Sequence, residues 1–413
     1  MFGGFILASQ YSRPTSRKLT FTRDYWILII GIIFIASTLR SPLTSVGPLI
    51  SLIKSGLHIS NVLAGFLTTI PLLAFALISP FAPQIARRFG MERTLFASLV
   101  LLTLGIVIRS LGTTPYLLIG TFLLGAAIAF GNVLLPGLIK LNFPLHIGLL
   151  TGLYSVAMNL SGSIAAGISI PLAEGTSFGW EGALGGWAIL SFVAAIIWLP
   201  QLKAKKSMAG AAIATKRQNT SPLWRSNLAW NITLFMGLQS FIFYTCSAWL
   251  PEVLKTQGLS AGQAGWMLSL MQFAQLPMTF IIPVIAGKMK NQRMLVLFIA
   301  SFFLIGFVGI FIGAPLIPLW MIILGLAGGS AFGLAMMFFT LRTHTPHEAA
   351  DLSGMAQSFG YILAAVGPVF FGLLHDVTSS WSTPLILLFI ATAGLFISGM
   401  RAGKNEVVFQ KES

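Results

Sequence analysis

Charge is what this chain has least of: 8% of its 413 residues are Asp, Glu, Lys or Arg. A soluble domain carries about 25%, so a globule with most of its faces in water is excluded. Acids are the scarcer sign, ten against 25 basic residues. They are Asp24, Glu92, Glu174, Glu181, Glu252, Glu348, Asp351, Asp376, Glu406 and Glu412. All map to loops, tails or the ends of apolar runs. No mid-membrane carboxylate is therefore expected to bind an organic cation or carry a proton, which disfavours multidrug-cation efflux. No two His, Glu or Asp share a membrane interior, so the clustered groups that an intramembrane enzyme needs are missing. Neither an enzyme nor a cofactor is expected. Cysteine is nearly absent: Cys246 stands alone, which excludes an internal disulfide and a thiolate metal site.

Apolar residues fill the space, at 56% of the chain with a mean hydropathy of +0.87. Runs near 20 residues, the length that crosses a bilayer as a helix, fall near 26–50, 61–82, 94–112, 115–139, 148–172, 182–200, 226–250, 263–286, 294–313, 315–341, 352–374 and 383–400. They are apolar all round rather than alternating, so they predict helices and not the strands of a barrel. Twelve spans put both termini on one side. Every basic residue outside the spans falls on that side, apart from Lys54 and Lys255. This is the positive-inside pattern for cytoplasmic termini, and it accounts for the net charge of +15 without nucleic acid. The expected setting is the cytoplasmic membrane of a bacterium, with lipid around a monomer. Residues 1–23 hold a short apolar stretch, Phe2 to Ala8, with no charge before it, so they read as a cytoplasmic tail and not a signal peptide.

The chain repeats itself at an offset of about 200. Ser60, Ala64 and Gly65 match Ser260, Ala264 and Gly265, while Pro83, Ala86, Arg88 and Arg93 match Pro283, Ala286, Lys288 and Arg293. After a slip of two residues, Phe130-Gly131 falls on Phe332-Gly333, and Lys140, Pro144 and Gly152 fall on Arg342, Pro346 and Gly354. The predicted organisation is a six-helix half over 24–200, a polar linker over 201–225, a second half over 226–401 and a tail over 402–413.

Within the first span, Arg40 lies about 20 Å from Tyr25 at 1.5 Å per residue. A guanidinium stays charged there and costs about 2.5–3.5 kcal/mol near a bilayer centre. Pro42 disturbs the helix beside it, and Ser41, Thr44 and Ser45 bring hydroxyls to the same turn. A broken helix beside a lone cation is a candidate anion cradle; the alternative is a structural cap on neighbouring carbonyls. Asn132 in the fourth span is either an interhelical bond or a ligand contact. Tyr154 in the fifth is favoured over Asn159. Gly148, Gly152, Gly162 and Gly167 in that span predict tight packing. The second half has no counterpart of Arg40 and offers Gln239, Tyr244, Gln272, Gln275, Gln357, Ser358 and Tyr361. Arg109 is near a loop, with its head expected to reach lipid headgroups in a structural or outer-gate role. Arg87, Arg88 and Arg93 either hold an inward gate, with Glu348 and Asp351 as the nearest acids, or reflect topology alone. If protons are coupled, the candidates are His344, His347 or the anion itself; the two histidines read in the first place as solvated loop residues.

Particular strings sharpen this. Leu39-Arg40-Ser41-Pro42-Leu43-Thr44-Ser45-Val46-Gly47-Pro48, Ala86-Arg87-Arg88-Phe89-Gly90, Gly131-Asn132-Val133-Leu134-Leu135-Pro136, Gly237-Leu238-Gln239-Ser240 and Ala248-Trp249-Leu250-Pro251 resemble the major facilitator superfamily. Within it they look like the cyanate/nitroimidazole transporter (CynX/NimT) branch. The resemblance covers roughly 20–400. It implies an all-α membrane carrier of two pseudo-symmetric halves with the substrate site between them near mid-membrane. It also implies secondary active transport, by alternating access, of a cyanate-like anion or a nitroimidazole-like molecule. In one place the chain departs: Arg87 stands where the superfamily loop usually has Asp. The competing readings are an exporter of neutral or anionic drugs, and a non-transporting sensor with a carrier fold.

Overall fold

A computed structural model describes residues 23–59, 61–203, 223–313 and 315–408. The tail expected over 1–23, save its last residue, and most of the linker expected over 201–225 lie outside the described residues. In chain order the helices are α1 (Arg23–Thr38), α2 (Ser41–Thr44), α3 (Val46–Leu57), α4 (Asn61–Ile78), α5 (Ala82–Phe89), α6 (Met91–Arg109), α7 (Thr114–Asn142) and α8 (Ile147–Gly175). Then come α9 (Gly179–Gly185), α10 (Trp187–Lys203), α11 (Asn227–Thr256), α12 (Ala261–Lys288), α13 (Arg293–Phe311), α14 (Ile317–Leu341), α15 (Pro346–Thr378) and α16 (Ser382–Ala402). Eleven stretches among the described residues are long and apolar enough to cross a membrane, and the bent pair α4–α5 makes up to twelve. The protein is a multi-pass, all-α membrane protein.

Two departures from straight spans follow from proline. The first span runs as α1, α2 and α3: Pro42 has no N–H to offer the Thr38 carbonyl, and Arg40 at φ −123°, ψ −35° lies outside the helix. Ser37 and Thr44 stitch the gap. The Ser37 carbonyl accepts from the hydroxyls of Ser41 (2.8 Å) and Ser161 (2.8 Å), and the Thr44 hydroxyl donates to the Gly162 carbonyl at 2.7 Å. The second span bends by 55° between α4 and α5. There Pro80 withholds the bond that the Ala76 carbonyl would accept in a helix. Ser358, from the other half, donates to that carbonyl instead at 2.6 Å.

Pairing of helices reproduces the duplication. In the first half α1 packs on α8 and α10, α4 on α7, and α6 on α7 and α10; in the second α11 packs on α15 and α16, α12 on α14, and α13 on α14 and α16. Between halves, α8 meets α12 and α14, while α15 meets α4, α5 and α7. A second, smaller core of Val46, Leu49, Ile53, Leu67, Leu117, Ala173, Trp180, Ala183 and Leu184 gathers α3 and α9 at the end far from the termini.

Glycine sets how closely the halves approach. A Cβ on Gly148 would lie 2.4 Å from the Pro283 carbonyl oxygen, and one on Gly152 2.9 Å from that of Phe280. Gly167, expected to pack tightly as well, faces open space, with nothing within 4 Å of a Cβ. The C-terminal stretch is docked: Val408 donates its N–H to the Arg342 carbonyl at 2.8 Å, and the Arg342 guanidinium binds the Ala402 carbonyl at 2.7 Å.

Candidate functional site: a cavity between the halves

Eight spans, four from each half, contribute to one central chamber, with an empty volume of about 640 Å³ that includes space open to solvent. From the first half come Leu39, Arg40, Leu43, Phe75, Asn132, Tyr154 and Met158; from the second come Gln239, Ser240, Phe243, Tyr244, Gln275, Gly328, Phe332, Met336, Gln357 and Tyr361. An adjoining compartment is lined by Arg40, Thr44, Asn159, Gly162, Ser163, Phe243, Gln272 and Gln275. Arg40 borders both. No carboxylate or second cation lines either.

Arg40 sits in the break of the first span, partly buried. Its Nη1 donates to the Asn159 Oδ1. Its guanidinium carbon lies 4.7 Å from the centroid of the Phe243 ring and 5.9 Å from that of Phe332, within cation–π reach. Its stem lies against Gly162, where a Cβ would meet Cγ at 3.1 Å. The guanidinium is held by neutral groups alone. In a low-dielectric chamber such a charge attracts an anion far more strongly than it would in water.

The remaining polar lining is neutral. Gln239 donates to the Ser240 hydroxyl at 2.7 Å, and Gln357 to the Ser353 hydroxyl at 2.9 Å. Tyr361 packs against Phe75 across the halves, ring centroids 4.9 Å apart, and Tyr244 meets Phe243 edge-on. Of the residues singled out in the sequence, Arg40, Asn132, Tyr154, Gln239, Tyr244, Gln357 and Tyr361 come together in the chamber, and Thr44 and Gln272 in the adjoining compartment. Ser41 lines neither; it is buried, with its hydroxyl donated across the break to the Ser37 carbonyl of α1. Sequence reasoning passed over Phe243, Phe332 and Ser240 and ranked Asn159 below Tyr154. One signal was present: the offset of 200 sets Ser240 opposite Arg40. Phe332 was marked as the repeat counterpart of Phe130, but neither phenylalanine is marked as a lining residue by lying in an apolar run.

Arg109 is fully buried, and its Nη1 donates to the Pro42 carbonyl at 2.7 Å, so its head turns inward to the broken span and not toward headgroups. The gate candidates separate. Arg87 pairs with Asp351 across the halves at 2.5 Å, whereas Arg88 lies over Phe89 and Arg93 is exposed. Glu348 is occupied as a helix cap, accepting from the N–H groups of His344 (2.7 Å) and Thr345 (3.2 Å). His344 and His347 lie at this same end, outside the chamber lining. A contact that sequence reasoning missed is Lys140, whose Nζ reaches across to the carbonyls of Thr340 (2.7 Å) and Thr343 and to the Thr343 hydroxyl (2.9 Å). These contacts close the halves on the side of the chain termini. Among the described residues no three His, Cys, Asp or Glu gather as metal ligands.

A family model described as Major Facilitator Superfamily matches residues 26–368. The chain is 47% identical over 401 residues to a Bacillus subtilis (strain 168) protein named "Uncharacterized transporter YycB", covering 97% of this chain and 98% of that one. It is 43% identical over 385 residues to the 2-nitroimidazole transporter of Escherichia coli (strain K12), covering 92% and 96%. Identity to the cyanate transport protein CynX of the same organism is 27% over 380 residues, covering 91% and 96%. The proton:xylose symporter XylE, solved with 6-bromo-6-deoxy-D-glucose, shares the fold at a TM-score of 0.74 and 13% identity, over 94% of this chain and 98% of that one. A cavity shared by two repeated halves, closed at one end, together with these relatives, makes the chain a transporter that belongs to the Major Facilitator Superfamily, in the branch of the 2-nitroimidazole and cyanate transporters.

Proposed function

We propose that this carrier moves a small anion or polar small molecule, cyanate-like or nitroimidazole-like, by rocking its halves about the chamber that holds Arg40. The observation that carries the reading is a lone guanidinium at the junction of both halves with no carboxylate in its surroundings. Alternating access then follows from geometry: a ligand touching Arg40 and the amides of Gln239, Gln275 and Gln357 touches both moving bodies at once. The basic residues on the side of the termini support a cytoplasmic location for both ends in a bacterial cytoplasmic membrane. A small molecule is the proposed partner, bound by a monomer. A second reading, transport of a neutral polar aromatic, is favoured by the rings of Phe75, Phe243 and Phe332 on the lining.

The test is thermal stability of the purified protein against cyanate, nitrate, nitrite, thiocyanate, small carboxylates and a neutral nitroimidazole, beside Arg40→Gln. A ligand at about 100 times its Kd stabilises by roughly 2.7 kcal/mol. Stabilisation by an anion, lost in Arg40→Gln, is the expected result. Stabilisation by neutral compounds alone, indifferent to the substitution, overturns the anion reading in favour of the second.

A further inference from the structure

We propose that Asn159 sets the charge selectivity of the chamber: it positions Arg40 by a neutral acceptor, so that the guanidinium keeps its full charge for the transported anion. The proposal deepens the anion reading and rests on it.

The face of α8 that meets Arg40 is built for this. Asn159 Nδ2 donates to the Ser155 carbonyl at 2.9 Å, one turn back on its own helix. That bond orients the amide, leaving Oδ1 to accept from Arg40 Nη1. One turn further on, Gly162 leaves room for the Arg40 stem, and its carbonyl binds the Thr44 hydroxyl at 2.7 Å. Asn159 is 9% exposed, so water does not replace it readily. Arg40 is thus fixed on three sides: by an amide, a backbone-tight stem and the faces of Phe243 and Phe332. None of these neutralises it. Among the lining residues the only other titratable groups are Tyr154, Tyr244 and Tyr361, ordinarily uncharged at neutral pH. A carboxylate at 159 would have the same shape and similar reach and would give up the donation to the Ser155 carbonyl, yet it would occupy Arg40 permanently as an internal counter-ion.

Asn159→Asp separates charge from shape. Binding of thiocyanate, an anion that stays ionised across the working range, is measured by calorimetry at neutral pH, and the melting temperature of the unliganded protein is read in parallel. The expected result is a loss of thiocyanate affinity of about 100-fold together with a higher melting temperature, because a partly buried cation gains a partner. A residue of purely structural importance would lower both. Asn159→Ala, which removes the acceptor without adding charge, is expected to weaken thiocyanate by about tenfold and no more. Wild-type affinity in Asn159→Asp, loss of binding with a lower melting temperature, or equal losses in the two variants overturns the proposal. A wild type that does not bind thiocyanate or any other anion overturns the anion reading first, and this inference with it.

Discussion

Lys140→Met should open the carrier on the side of its termini. Two classes of contact hold that side shut, and their magnitudes differ. Arg87 and Asp351 form an ion pair whose side chains are 45% and 30% exposed, and pairs of that kind contribute about 0.2–1 kcal/mol. Lys140 is partly buried and donates to three acceptors of the opposite half, the carbonyls of Thr340 and Thr343 and the Thr343 hydroxyl. Hydrogen bonds to a charged group contribute about 1.5–3 kcal/mol each. Taking two as effective at the low end gives about 3 kcal/mol, or roughly a hundredfold in the ratio of closed to open. The ammonium therefore outweighs the ion pair. The assay uses Ser353→Cys, a near-isosteric thiol at a fully buried site one turn from Gln357, in a Cys246→Ser background. Maleimide labelling of that thiol follows the open population when opening is fast relative to labelling. Lys140→Met should speed labelling by tens of fold or more, and Arg87→Ala by about fivefold at most. Equal rates in Lys140→Met and the parent, or a larger effect from Arg87→Ala, would refute the assignment of the latch to Lys140.

Glycine makes further tests. Gly148→Val would drive a side chain into the Pro283 backbone across the halves, so the terminus side should stay open. The same thiol should label rapidly, and transport should fall. Gly120→Ala meets the backbone of Arg109 within its own half, at 2.3 Å from the nitrogen. It should cost about 1–3 kcal/mol of stability, seen as a lower melting temperature. Gly167→Ala meets nothing within 4 Å on a helix, and should leave the melting temperature unchanged or slightly higher.

The legibility of the site depended on the kind of residue. Arg40 could be read because a cation in an apolar run has no cheap structural explanation. Gln239, Gln357, Tyr154, Tyr244 and Tyr361 were readable as polar exceptions in apolar spans, although Ser41 belonged to the same class by sequence and turned out to bond the carbonyl of Ser37 across the break in the first span. Phe243 and Phe332 were invisible, because an aromatic ring serves equally well against lipid, in the core or over a cation. Asn159 and Gly162 gained meaning only once α8 was laid against the broken span.

Sequence alone determined the membrane class, the span positions, the duplication and the concentration of basic charge at one end. Each of these follows from composition and period: lipid demands apolar, internally bonded segments, and a repeat preserves its punctuation. Tertiary structure alone decided where polar side chains point and which ends of the spans touch. Lys140 and Arg342 occupy equivalent positions in the two repeats. Lys140 bridges the halves, while Arg342 binds Gln292 and the Ala402 carbonyl within its own half. Arg109 looked free to reach lipid headgroups and instead faces the Pro42 carbonyl. The reason is physical: a long cationic side chain goes to the best acceptor within its reach, and only the packing of helices fixes which acceptor that is.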